Sequence, residues 1–310
     1  MNNILLGMAK PIKQFTKRTA LALAVLASLT AFLIVREMQA SLEVATLVAT
    51  IAVLLIGFLL EKTIPFDQEA LQQPGETSLD LTSAVMLLGI VDPLIKYAAP
   101  VLIVFAYSII WPSQSFSPLM GVELAEVPFL LQVFAITLVI EFGKYWAHRW
   151  HHSNRFLWWL HAMHHSSTRL RTINNFRFHP LNYLINFSLS TFPLMVLGVP
   201  SDVLLAYLAI TQPVLMLQHA NIDLKSGWLN YIFSTNELHR WHHSVQAEQA
   251  NSNYGSALVI WDQVFKTFRH ENRPSTSIQF GLFTSSNHYP SGKSYWGQLA
   301  SAFTPTCCKT

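Results

Sequence analysis

Apolar residues run along this chain in long uninterrupted stretches, without the alternation that marks a half-buried sheet. Residues 19–35 and 44–60 carry no charge, and each approaches the roughly 20 residues of helix that cross a bilayer. A third run covers 97–111, preceded by a shorter one at 81–91 that Asp92-Pro93 breaks and that is too brief to span alone. The fourth, 127–140, continues into Glu141-Phe-Gly-Lys-Tyr-Trp, so its helix is expected to pass the membrane surface. Residues 181–201 and 203–222 are separated only by Asp202, with Gly198-Val-Pro200 as a turn signal between them. They read as a helical hairpin whose arms Pro193 and Pro213 kink. The pattern predicts an all-α fold: a polytopic membrane bundle.

Lys and Arg set the orientation. Residues 1–18 hold Lys10, Lys13, Lys17 and Arg18 without an acid, which predicts a cytoplasmic N-terminus. Three crossings then place 112–126 outside, where Glu123 and Glu126 stand with no basic residue. The fourth delivers 144–177, with Lys144, Arg149, Arg155, Arg169, Arg171 and Arg177 and again no acid, to the cytoplasm. The two charge counts agree. The 61–80 loop, placed inside, fits less well, with five acids and one Lys. The basic N-terminus and first apolar run also resemble a signal peptide, but the run exceeds the usual apolar core and Met38-Gln39-Ala40 is a poor cleavage site, so an uncleaved anchor is expected.

Composition agrees with a lipid environment. Hydrophobic residues make up 51% and charged residues 12% of the 310, half the charge of an ordinary soluble domain. A formal charge of +3 is too mild for a polyanionic partner, so no nucleic acid is expected. Two adjacent cysteines, Cys307 and Cys308, form neither a disulfide framework nor a thiolate cluster.

The unusual residue is histidine: 13 in all, six of them between 148 and 165. Three patterns stand out: His148-Arg-Trp-His151-His152, His161-Ala-Met-His164-His165 and His239-Arg-Trp-His242-His243. Residues three and four apart share a helix face, so each pattern presents a stripe of imidazoles, good ligands for iron, zinc or copper. Three stripes together hold more nitrogens than one ion takes and suit two. The hairpin makes an even number of crossings, so His219 and the third stripe are expected beside the first two. Both His151 and His152 share a face with His148, and spacing alone does not choose between them. His270 and His288 read as interfacial anchors. The zinc-protease signature His-Glu-x-x-His is absent.

Glu141…Tyr145-Trp146-x-His148-Arg149-x-x-His152, Leu157-Trp158-x-x-His161-x-x-His164-His165-Ser166 and His239-x-x-His242-His243 resemble the fatty acid hydroxylase/sterol desaturase superfamily of integral-membrane di-iron oxygenases. The resemblance covers about 127–270, and its step from His152 to His161 selects His152. It implies two Fe ions, dioxygen, an external electron donor and hydroxylation of a lipid (fatty acyl, sterol-like, ether lipid or headgroup). It also implies that His219, in Gln218-His-Ala-Asn, is a further ligand. The implied ligand set is His148, His152, His161, His164, His165, His219, His239, His242 and His243. Asn253-Tyr-Gly255…Trp261-Asp-x-x-Phe265-x-Thr-Phe268 looks most like the branch holding alkylglycerol monooxygenases and bacterial relatives, which suggests a bacterial inner membrane. Two positions depart from the pattern: Glu141 stands where Asp is usual, and Lys266 where Gly is more frequent.

The resulting organisation is 1–126 for N-terminal transmembrane helices, 127–270 for the catalytic region and 271–310 for a C-terminal tail, with the histidines as a cytoplasmic metal cap. A ligating imidazole normally gives its second N–H to a carboxylate or carbonyl. Glu141, Asp223, Glu237 and Asp262 are candidates for that role, and His179, in Arg177-Phe-His-Pro180, for lining or completing the site. Arg169, Arg171 and Arg177 are candidates for a phosphate or carboxylate headgroup, although positive-inside anchoring is the plainer reading. Electrons must come from a separate electron-transfer protein or reductant, since no haem, flavin or dinucleotide signature is present. Zn competes for such a site in preparations. The competing readings are a lipid or sterol desaturase on the same metals, a metal transporter, and a non-catalytic metal-binding membrane protein. Transporters place ligands near the bilayer midplane, whereas these histidines follow the apolar runs.

Overall fold

A computed structural model of the chain describes residues 10–72, 76–110, 126–271, 278–286 and 288–304. Trp111, Glu123, Cys307 and Cys308 lie outside the described residues. The apolar runs become helices α1 (Lys10–Glu37), α2 (Leu42–Thr63), α3 (Thr77–Met86), α4 (Asp92–Ile110) and α5 (Phe129–Ser153). After them come α6 (Arg155–His165), α7 (Pro180–Val196), α8 (Ser201–Gln218), α9 (Asn236–His242) and α10 (Tyr295–Ser301). Among the described residues β-structure is limited to isolated bridges. Five stretches are long and apolar enough to cross a membrane: α1, α2, residues 77–109, α5 and α8. Their outer faces expose Leu23, Leu26, Leu47, Val48, Ile51, Leu55 and Phe134, while Glu61, Asp80 and Glu141 are buried. Apolar outside and carboxylates inside is the distribution of a multi-pass membrane protein.

The expected break at Asp92-Pro93 does not occur. A π turn, Leu87–Val91, joins α3 to α4, and the Asp92 N–H bonds the Leu87 carbonyl five residues back. Pro93 follows this turn directly, at the point where the π turn gives way to α4. The helix starts are capped locally. Ser41 accepts from the Val44 N–H at 3.3 Å, and Asn154 accepts from Phe156 and Leu157 at 3.0 and 3.1 Å. Gly198, at φ 79°, ends the first hairpin arm, and Pro200 precedes α8.

Packing aligns the helix ends. Lys17, early in α1, pairs with Asp223 just past α8 at 2.5 Å, and Arg36, late in α1, pairs with Asp202 at the start of α8 at 3.2 Å. The two helices therefore run antiparallel, and the basic end of α1 lies where α8 delivers its C-terminus. The hairpin arms pack mainly on other helices: α7 on α5, and α8 on α1, α2 and α5. The α5–α7 contact needs Gly143, since a Cβ there would lie 2.2 Å from the Leu189 carbonyl oxygen. Described residues beyond 278 pack on α6. Tyr289, Tyr295 and Ala302 share a core with Trp159, Leu160 and Met163 of α6, and Trp159 Nε1 donates to Ser301 Oγ at 2.9 Å.

Candidate metal centre

The C-terminal ends of α5, α6 and α8 converge, and α9 closes over them. This gathers nine imidazoles into two groups, His148, His152, His161, His165 and His242 in one and His164, His219, His239 and His243 in the other, with the potential ligand atoms of each within 4.8 Å of one another. The groups adjoin: the His165 and His243 rings stack at 4.3 Å, and the His161 ring lies 5.3 Å from that of His164. The second and third stripes are thus divided between the groups. His161 and His165 go one way and His164 the other, while His242 is separated from His239 and His243.

The proton positions say what the groups can hold. His148 Nδ1 donates to the Tyr254 carbonyl at 2.8 Å, His242 Nδ1 to Ser252 at 2.9 Å and His164 Nδ1 to Arg177 at 3.2 Å. A neutral imidazole that donates from Nδ1 has a lone pair on Nε2. Nε2 of His148 nevertheless stands 3.0 Å from Nε2 of His161, which is 3.1 Å from that of His165. In the second group Nε2 of His239 stands 2.9 Å from that of His219 and 3.0 Å from that of His243. Nitrogens bound to one ion at about 2.1 Å and a right angle would lie about 3.0 Å apart. Burial holds the imidazoles neutral: His219 is pushed down to about 3 and His242 to about 4, and His161, His164, His165, His239 and His243 also lie well below the usual range. Clustered, neutral, inward-facing lone pairs fit a cation in each group.

Residues 133–267, which hold both groups, match the fatty acid hydroxylase family. The match to that family covers the histidine-bearing part of the chain. An ornithine lipid hydroxylase, OlsE of Rhizobium tropici, is 36% identical over 228 residues, 71% of this chain and 65% of the relative. The alkylglycerol monooxygenases of Homo sapiens and Caenorhabditis elegans are 29% and 24% identical over 171 and 208 residues, or 55% and 65% of this chain. The chain spans 37% and 38% of their respective lengths. No solved structure matches it.

The remaining candidates fall elsewhere. His151 is fully buried, but its Nδ1 bonds the Ala147 carbonyl one turn back at 2.6 Å, and it stands in neither group. His179 caps α7, accepting from the Leu181 N–H at 3.1 Å, and is likewise in neither group. Glu141 does not reach a histidine. It accepts from Tyr207 Oη at 2.7 Å and from the Ala257 and Leu258 N–H groups at 2.7 and 2.9 Å, tying α5 to α8 and to the 255–258 turn. Asp223 pairs with Lys17 and Lys225, and Glu237 accepts from the Ser226 N–H at 2.6 Å, so neither meets an imidazole. Asp262 acts one step removed, accepting from the Tyr254 and Gly255 N–H groups, each at 2.7 Å; burial pushes its carboxyl up to about 6. Arg177, fully buried, is clamped by Asp80 at 2.5 Å and by Glu76, which leaves no free guanidinium for a headgroup. Asn174 and Asn182 were missed from the sequence: their Oδ1 atoms face Nδ1 of His219 at 3.1 Å and of His161 at 2.8 Å. Nothing in their spacing marks them, because they lie on other segments. Lys266 has φ +59°, the left-handed region, which explains why Gly suits that position.

Proposed function

We propose that the chain is a membrane-embedded di-iron oxygenase that hydroxylates a polar lipid with dioxygen, drawing electrons from a separate donor. The pair of adjoining all-imidazole groups, within the segment that matches the fatty acid hydroxylase family, carries the reading. The nine histidines of the two groups would hold the irons, which would supply the activation of dioxygen that an unactivated C–H bond demands. The chain's own residues orient the imidazoles through Nδ1 and cover them: Trp158 and Phe283 stack at 4.5 Å above His152 and His165 and keep bulk water off the site. The names of the relatives, an ornithine lipid hydroxylase and alkylglycerol monooxygenases, favour a polar lipid over a sterol.

The site faces the cytoplasm in this reading. Lys17, in the acid-free N-terminal stretch, pairs with Asp223, four residues past His219, so the end that holds the positive-inside signal also holds the histidines. Three of the five acids of 61–80 are engaged by other parts of the chain. Glu61 accepts from the Thr172 and Asn221 N–H groups at 2.6 and 2.9 Å, and Asp80 and Glu76 are spent on Arg177.

Comparative lipid mass spectrometry of cells with and without the gene, grown with air and iron, tests the function. One lipid class gaining a single oxygen, and losing it with His164→Ala or His165→Ala, is the expected result. Loss of two hydrogens would make the enzyme a desaturase, and an unchanged lipidome would overturn the oxygenase. For the purified protein, activity is read after anaerobic iron reconstitution, because an all-imidazole set also takes zinc.

A further inference from the structure

Six of the nine imidazoles give Nδ1 a protein oxygen, and five of those oxygens come from two short segments. Residues 251–254 supply three: Asn251 Oδ1 to His152 at 3.3 Å, the Ser252 carbonyl to His242 at 2.9 Å and the Tyr254 carbonyl to His148 at 2.8 Å. All three histidines belong to the five-imidazole group. Residues 174–177 supply two, Asn174 Oδ1 to His219 at 3.1 Å and the Arg177 carbonyl to His164 at 3.2 Å, both in the four-imidazole group. Neither segment serves the other group in these bonds.

Both segments are held from outside the site. Asn253 takes the left-handed φ of 54° that points the flanking carbonyls at the histidines, and its side chain donates to the Leu238 and Arg269 carbonyls at 3.1 and 2.9 Å and accepts from the Arg269 N–H at 2.8 Å. Asp262 grips the next two residues through the Tyr254 and Gly255 N–H groups. A Cβ on Gly255 would lie 2.7 Å from Asp262 Oδ2 and 2.1 Å from the Leu258 carbonyl oxygen, so the grip closes only on glycine. Asn174 accepts from the Arg171 N–H at 3.1 Å and donates to Ser167 Oγ at 3.0 Å, and the Arg177 guanidinium is locked between Asp80 and Glu76.

We propose that the fold builds one positioning collar per ion: residues 251–255, anchored by Asn253 and Asp262, for the ion held by the five-imidazole group, and residues 174–177, anchored by Asn174 and Arg177, for the other. The inference rests on the two-ion reading and deepens it. These are positioning residues, since they touch only ligands or the backbone that bonds them. Their consequence is that the two ions can be lost separately. Asp262→Asn turns an amide N–H against one of two backbone N–H groups and loosens the first collar only. Asn251→Ala removes the His152 partner without disturbing the backbone. Asn174→Ala removes the His219 partner in the second collar.

Ferrous iron bound per detergent-purified full chain, loaded anaerobically, is the measurement, with Mössbauer spectra to tell a pair from a single ion. Wild type is expected to hold two irons, and Asp262→Asn and Asn174→Ala about one each, while the double variant holds none. In Asn251→Ala one iron should bind about 10–100-fold more weakly, the usual effect of removing such a partner, with the other unchanged and Asn251→Asp restoring it. Two irons at wild-type affinity in Asp262→Asn and Asn251→Ala would overturn the collars. So would both irons leaving together in Asn251→Ala, or one iron remaining in the double variant. A wild type that never holds two irons would instead refute the two-ion reading itself.

Discussion

His151 and His152 are chemically identical neighbours, and one turn of backbone separates their fates. Both lie on the face of His148, so helical spacing leaves them equivalent. The Ala147 carbonyl takes the His151 ring, whereas Asn251, almost a hundred positions on, orients His152. His152→Ala is accordingly expected to lower iron content from two ions toward one, and His151→Ala to leave it at two, read by elemental analysis of reconstituted protein. Equal loss from both variants would contradict the assignment. The carboxylates show the same limit. The i, i+7 spacing from Glu141 to His148 was legible, yet Glu141 serves two backbone N–H groups of the 255–258 turn, because unpaired N–H groups in a buried turn need an acceptor as much as an imidazole does.

At the scale of elements, hydropathy located almost every helix, since a span in lipid must be apolar outward and internally bonded. It failed at Asp92-Pro93, where a π turn absorbs the proline and a continuous rod replaces two pieces. It also could not foresee how closely α5 approaches α7. That approach depends on Gly143, where even a methyl would meet the Leu189 carbonyl at 2.2 Å. Gly143→Val is expected to cost about 1–3 kcal/mol, the usual range for overpacking a tight contact. Thermal unfolding in detergent should show it as a lowered midpoint, and an unchanged midpoint would mean that the helices can separate without cost.

For the whole molecule, the histidines make stability depend on acid. His219 and His242, at about 3 and 4, are neutral in the folded chain, while unfolded histidine titrates near 6.5. The unfolded state therefore binds more protons below pH 6.5, and folding stability falls as pH drops from there toward 4. The metal-free protein should unfold at progressively lower temperature across that window, and bound iron should be released over it, because ligation needs the neutral ring. A midpoint flat from pH 7 to pH 4.5 would show that these imidazoles are not buried neutral in the folded chain. The molecule spends its internal charges at the same end: Glu61, Glu76, Asp80 and Arg177 bind the first part of the chain to the segments beside the histidines.

The sequence alone determined that this protein is helical, lies in lipid and brings histidine stripes to one end of its bundle. Those facts follow from local periodicity, from hydropathy and from where the stripes fall after the apolar runs, all of which are written along the chain. Tertiary structure decided which imidazole joins which group, that the second and third histidine stripes are shared between two groups, and which oxygens hold the rings. Those outcomes depend on carbonyls and amides contributed by segments tens of residues away, whose positions only packing specifies.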